Sequence, residues 1–167
     1  DVTARRKAEE YLRYLGAHDV MTGLYNRAFY EEEMKRLGGS RLFPVSILVA
    51  DLDGLKKVND SFGHQAGDKL IRRAAETLRA GFRTEDVIAR IGGDEFAIIM
   101  PNTDWNAAKV AAERIETLVG LNNKFYGQPF LSISVGISSG QRGTDIESIM
   151  RAADDHMYKE KRLRHQR

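Results

Sequence analysis

Two pairs of acids border apolar runs: Asp51 and Asp53 close FPVSILVADLD, and Asp94 and Glu95 open DEFAIIM. With a strand's period of two, Asp51 and Asp53 point to one side. If the fold sets the two strands side by side, the acids form a cluster of hard oxygen ligands suited to Mg²⁺. That ion takes one or two carboxylates and completes its shell with substrate phosphates. A cation so held neutralises triphosphate charge and lowers the pKa of an attacking hydroxyl, while a carboxylate accepts the proton. Between the strands, in ARIGGDEFAIIM, Gly92 and Gly93 let backbone approach a ligand where no Cβ intrudes. The bland alternative is that the acids merely mark strand ends and turns. The chain has neither G-x-x-x-x-G-K-[ST] nor G-x-G-x-x-G, so it is neither a P-loop protein nor a dinucleotide-fingerprint protein.

The elements that must position these residues are legible from periodicity. In DVTARRKAEEYLRYLG, the residues Ala4, Ala8, Tyr11, Leu12 and Leu15 form one helical stripe that Gly16 ends. A second helix fits Arg27 to Leu37, broken by Gly38-Gly39-Ser40. After Gly63, the set Leu70, Ile71, Ala74, Ala75 and Leu78 predicts a helix closing at Gly81. DVIARI and EFAIIM read as a hairpin, Ala108 to Val119 as a helix, and LSISVGIS as a strand. A T-x-x-E capping box, Thr144 to Glu147, predicts the start of a last helix that buries Ile146, Ile149, Met150, Ala153 and Met157. Interleaved helices and strands with one tight hairpin predict an α+β fold: a mixed or mostly antiparallel sheet with helices on its faces.

Composition narrows the function classes. The 167 residues suffice for one domain, and 26 basic against 24 acidic residues, net +2, give no general attraction to nucleic acid. The chain has no cysteine, which fits a reducing cytoplasm. It shows no apolar run of membrane-span length and no signal-peptide order at its start. The basic end KEKRLRHQR, residues 159–167, is a solvated tail or a phosphate contact.

The ordered motifs HDVMTGLYNR, DLDGLKKVNDSFGHQAGD, RIGGDEF, SISVGIS and ADDHMYKEK, from His18 to about Lys161, resemble those of the GGDEF domain, the catalytic domain of diguanylate cyclases. The resemblance implies a central, mostly antiparallel five-stranded sheet flanked by helices, akin to the nucleotidyl cyclases and the polymerase palm. It implies a catalytic domain over 18–167 behind a signalling or linker helix at 1–17. DVTARRKAEE also resembles the exit from a PAS sensor, which implies a sensor upstream. The activity implied is condensation of two GTP into cyclic di-GMP across a homodimer, with Mg²⁺ or Mn²⁺, in a cytoplasmic domain.

Carried over residue by residue, the resemblance gives Asp51, the Leu52 carbonyl and Asp94 to the metal, and Asp94 or Glu95 to activation of the 3′-hydroxyl. Gly54 and Leu55 face phosphates with their amides although family members often carry bulkier residues there, and Gly92 and Gly93 make room for GTP. Asn59 and Asp68 match guanine-reading positions; read alone, they are a helix cap and a first-turn acid. Lys161 matches a phosphate-binding lysine, whereas the family's later glycine-arginine falls on Arg164-His165, a departure: either Arg164, expected among the GTP-binding residues, or His165 replaces that contact, or the tail diverges. Arg27 resembles an arginine that supports the site. Arg83 and Asp86 fit the R-x-x-D of an inhibitory product site, with Arg114 beside it; an ordinary charged loop is the alternative. Two competing functions are a receptor that binds cyclic di-GMP without catalysis and an enzyme using another nucleotide.

Overall fold

The computed structural model describes residues 1–165; Gln166 and Arg167, the end of the basic tail, lie outside the described residues. The elements run α1 (Val2–Ala17), α2 (Arg27–Gly38), β1 (Val45–Leu52), α3 (Leu55–Phe62), α4 (His64–Gly81), β2 (Val87–Arg90), β3 (Glu95–Met100), α5 (Trp105–Tyr126), β4 (Ile133–Gly140) and α6 (Ile146–His165). Among the described residues, no helix is long and apolar enough to cross a membrane.

The strands read as continuous apolar runs because both faces of the sheet are covered. Leu48, Ala50 and Leu52 of β1, with Phe96, Ile98 and Met100 of β3, pack against Leu70, Ala74 and Leu78 of α4 and Ala108 and Ile115 of α5. Val45, Ile47 and Val49, with Ala97 and Ile99, face Tyr30, Met34 and Leu37 of α2 and Ile149, Ala153 and Met157 of α6. The strand order is β2-β3-β1-β4, and every ladder is antiparallel.

Two expectations need correction. The described sheet has four strands, not five. Beyond β2 the described residues offer only Tyr25, in isolated bridges to Ala89 and His18. No strand extends there, because a turn occupies Asp19–Gly23 and Asn26 already caps α2, its Oδ1 accepting from Phe29 N at 2.9 Å. The Thr144–Glu147 capping box is also replaced. Thr144 N donates to Gln141 O, and Asp145 takes over the cap, its Oδ1 accepting from Glu147 N at 3.3 Å.

Two contacts fix where the outer helices sit. α6 lies so close to β4 that a Cβ on Gly136 would fall 2.6 Å from Met157 Cα, so glycine is required there by space alone. At the other end, the rings of Tyr14, His18, Tyr25 and Phe29 stack in succession, with centroids 4.2, 4.8 and 3.9 Å apart, and join the end of α1 to α2. α1 itself buries no residue, leaving Tyr11 and Leu12 exposed.

Gly136→Ala is expected to lower stability by about 1–3 kcal/mol, since the added carbon meets helix backbone that a side-chain rotation cannot clear. A denaturant titration checks this: a lowered midpoint with an unchanged slope is expected, and an unchanged midpoint would mean that α6 is held less closely.

Candidate active site

The antiparallel register brings the acids together. Asp51 opposes Glu95 across the β1–β3 ladder and Ser134 across the β1–β4 ladder, and Leu52 N donates to Asp94 O at 3.0 Å just past the strand. Like charges set directly opposite on a sheet repel. The compensating charge comes from α6: Lys161 Nζ donates to Asp51 Oδ2 and to Leu52 O, both at 2.8 Å. Burial pushes the Asp51 carboxyl above its ordinary value; Lys161 pulls against this, and Asp94 adds to the rise. Burial likewise raises Glu95, and the neighbouring carboxylates Asp154, Asp51 and Asp94 raise it further.

The fit of a divalent cation rests on donor chemistry. Asp51 Oδ1 is buried and has no hydrogen-bond partner among the described residues, and the Leu52 carbonyl lies at the same strand end. Among those residues, no group of three or more His, Cys, Asp or Glu side chains could hold a metal ion by itself. A cation here would complete its shell with ligand oxygens, the usual habit of Mg²⁺. Asp53, expected beside Asp51, is otherwise engaged: its carboxylate accepts from Ser132 Oγ at 2.7 Å and Ser134 Oγ at 2.6 Å. Lys161 and Arg164 approach it at 3.8 and 3.9 Å. Arg164 also pairs with Glu116 of α5 at 2.5 Å.

The Gly-Gly turn has no internal reason to be glycine. Neither Gly92 nor Gly93 has a positive φ. A Cβ on Gly93 would meet nothing within 4 Å, and one on Gly92 would make ordinary contact with Glu95. The turn is held by its surroundings: Arg90 Nη2 donates to Gly93 O at 2.7 Å, and Arg27 Nη1 donates to Ile91 O at 3.2 Å. Arg90 is anchored in turn by Asp19 at 3.3 Å. Burial alone would raise the Asp19 carboxyl, yet hydrogen bonds from Thr22 and the Arg90 guanidinium outweigh it and hold the pKa below the ordinary value.

Sequence reasoning missed Arg90, Asp19 and Asp154. RIGGDEF contains Arg90 and ADDHMYKEK contains Asp154, but nothing local shows that the first clamps the turn and the second faces Glu95.

The other expected residues lie around this end. Gly54, φ 71, caps α3 in the left-handed region and leaves the first amides of the helix without a side-chain cap. Asn59 Oδ1 is buried without a partner among the described residues; Asp68, in the first turns of α4, is part-exposed. Arg83 and Asp86 are brought together, Arg83 N donating to Asp86 Oδ2 at 2.8 Å. They line a cleft of about 330 Å³ with His18, Tyr25 and Arg79. Burial raises the Asp86 carboxyl, opposed by Arg83 and Arg114, and Arg114 Nη1 donates to Gly81 O at 2.6 Å.

A carboxyl whose folded-state pKa is raised costs stability while ionised, and the cost is relieved as pH falls through that raised pKa. Glu95→Gln is therefore expected to raise the melting temperature of the metal-free protein at neutral pH, by up to about 4 °C for the loss of one like-charge pair across the ladder. The gain shrinks as pH falls through the raised range. Calorimetry across pH checks it, and an unchanged or lowered melting temperature at neutral pH would count against the crowding.

Residues 16–167 match the family described as diguanylate cyclase, GGDEF domain. Diguanylate cyclase DgcM of Escherichia coli K12 is 32% identical over 166 residues, spanning 96% of this chain and 40% of DgcM. Cyclic di-GMP phosphodiesterase PdeR of the same strain is 37% identical over 161 residues, spanning 95% of this chain and 24% of PdeR. The chain thus spans less than half the length of these relatives. The coiled coil and GGDEF domain of DgcB from Caulobacter crescentus, in complex with c-di-GMP, shares the fold with a TM-score of 0.83 at 27% identity, over 96% of this chain and 88% of that one. By sequence along nearly its whole length and by fold, the chain belongs to the GGDEF domain family.

Proposed function

We propose that the chain is the catalytic domain of a diguanylate cyclase, which condenses two GTP into cyclic di-GMP and releases two pyrophosphates. The observation that supports it is a bare Gly92-Gly93 backbone meeting Asp51, Asp94 and Glu95 at one end of the sheet. Each 3′-hydroxyl attacks the α-phosphate of the other GTP. Two phosphodiester bonds form, two bonds to pyrophosphate break, and the hydroxyl protons pass to Asp94 or Glu95. The raised proton affinity of Glu95 favours it as acceptor.

Asp51, the Leu52 carbonyl and Asp94 would hold Mg²⁺ or Mn²⁺, which when bound neutralises triphosphate charge and acidifies the hydroxyl. Gly54 and Leu55 offer helix-start amides to the phosphates. Lys161 moves from Asp51 to a phosphate, and Arg164 follows by releasing Glu116. Asn59 and Asp68 read guanine, with the Asp68 carboxylate accepting from N1 and N2. Arg83, Asp86 and Arg114 bind product and inhibit. Arginine both stacks on guanine and pairs with phosphate.

Each chain has one Gly92-Gly93 turn with its carboxylates, and the product has two equivalent bonds, so catalysis takes a homodimer. The unburied stripe of α1 supports pairing along residues 1–17, a signalling linker from an upstream sensor into the catalytic domain at 18–167. GTP as substrate places the domain in the cytoplasm.

The cleft at Arg83 and Asp86, with a phosphodiesterase among the relatives, favours a second reading: a receptor that binds cyclic di-GMP without making it. Incubation with GTP or ATP and Mg²⁺ over a range of protein concentrations separates the two. Cyclic di-GMP formed from GTP, rising more steeply than protein concentration and lost by at least about a hundredfold in Asp51→Ala, is the expected result. A folded chain that makes no product at any concentration yet binds cyclic di-GMP would replace the cyclase with the receptor.

A further inference from the structure

Gly67 lies inside α4, where glycine weakens a helix relative to alanine, so its presence asks for a reason. Its φ is not positive, which removes the conformational reason. Space supplies one. A Cβ built on Gly67 would stand 2.8 Å from Asn59 Cγ and 3.3 Å from Asn59 Nδ2, and closer still to Asn59 Oδ1. The Asn59 carboxamide therefore lies against bare helix backbone, one residue from Asp68.

Two further observations give the contact a direction. Asn59 O accepts from Gly63 N at 2.9 Å to close α3, so the main chain of Asn59 is fixed and only its side chain is left to yield. Asn59 Oδ1 is buried and accepts no hydrogen bond among the described residues, so packing on Gly67, rather than a protein partner, sets where the carboxamide lies. A buried amide oxygen left this way is costly unless something else makes use of the group.

We infer that Gly67 is a positioning residue for base recognition: its missing side chain is the seat on which the Asn59 carboxamide rests in register with Asp68. The inference rests on the reading of Asn59 and Asp68 as the guanine readers. A methyl group at position 67 turns the carboxamide away, weakening the grip on the base and leaving the carboxylates at the strand ends untouched.

The test compares the wild-type chain with Gly67→Ala, Asn59→Ala and the double variant, by steady-state kinetics with GTP and by calorimetric affinity for GTP, alongside melting temperature. Gly67→Ala is expected to raise KM and the dissociation constant for GTP by about tenfold, as loss of a buried polar contact does, with kcat little changed and melting temperature not lowered. In the Asn59→Ala background, where the carboxamide is gone and the methyl group has room, Gly67→Ala is expected to add nothing. If Asn59→Ala weakens GTP binding but Gly67→Ala does not, or if Gly67→Ala costs as much in the Asn59→Ala background as alone, the seat is overturned while the guanine reading stands. If Asn59→Ala leaves GTP affinity unchanged, the guanine reading of Asn59 falls and the seat falls with it. Calorimetry gives these outcomes whether or not the chain turns over.

Discussion

Carboxylates crowded at one end of a sheet repel one another, and the ammonium of Lys161 is what holds that end together. Asp51 and Glu95 are direct cross-strand neighbours, Asp94 is tied to Leu52 through the backbone, and Asp154 approaches from α6. Such crowding without a counter-charge disfavours the fold. Lys161 reaches Asp51 and the Leu52 carbonyl only because α6 is seated on β4 at Gly136, where no side chain keeps the two apart. The same helix thus brings the positive charge that relieves Asp51 and the negative charge that adds to burial in raising the proton affinity of Glu95.

The turn that faces this cluster is shaped from outside itself. Gly92 and Gly93 are free of any steric or conformational demand from the protein, while Arg90 and Arg27 grip the carbonyls around them. A turn clamped on one side and bare on the other presents backbone to a ligand without being loose. Arg90 is held by Asp19, and Arg90 N donates to Tyr25 O within the aromatic stack that starts at Tyr14 of α1. A displacement of α1 therefore bears on packed rings and charge-assisted bonds that end at the site.

Much of this was legible in the chain. Leu70, Ile71, Ala74, Ala75 and Leu78 keep a strict helical period because one face of α4 is buried, and all of them lie in the core. The acids at Asp51, Asp94 and Glu95 were visible because they interrupt apolar strands, and antiparallel pairing did the rest. What escaped is what depends on long-range placement. Arg90 and Asp19 are 71 residues apart and Lys161 and Asp51 are 110 apart, so no local pattern links them. Asp53 was grouped with Asp51 by periodicity, but the strand ends at Leu52 and Ser132 and Ser134 capture its carboxylate. The fifth strand was implied by resemblance alone, and the segment around Tyr25 is committed to a turn and a helix cap instead. Gly67 is silent in sequence because its reason is the side chain of Asn59, on the preceding helix.

The ammonium of Lys161 sits on Asp51 and the Leu52 carbonyl, the same oxygens proposed for the metal. The direct measurement is a Mn²⁺ titration followed by electron paramagnetic resonance, without nucleotide, on the wild-type chain and on Lys161→Met. The variant is expected to bind Mn²⁺ more tightly, by about tenfold, because a competing charge-assisted bond has been removed from the same oxygens. Equal or weaker binding in the variant would contradict it and would mean that Lys161 and the cation do not share that place.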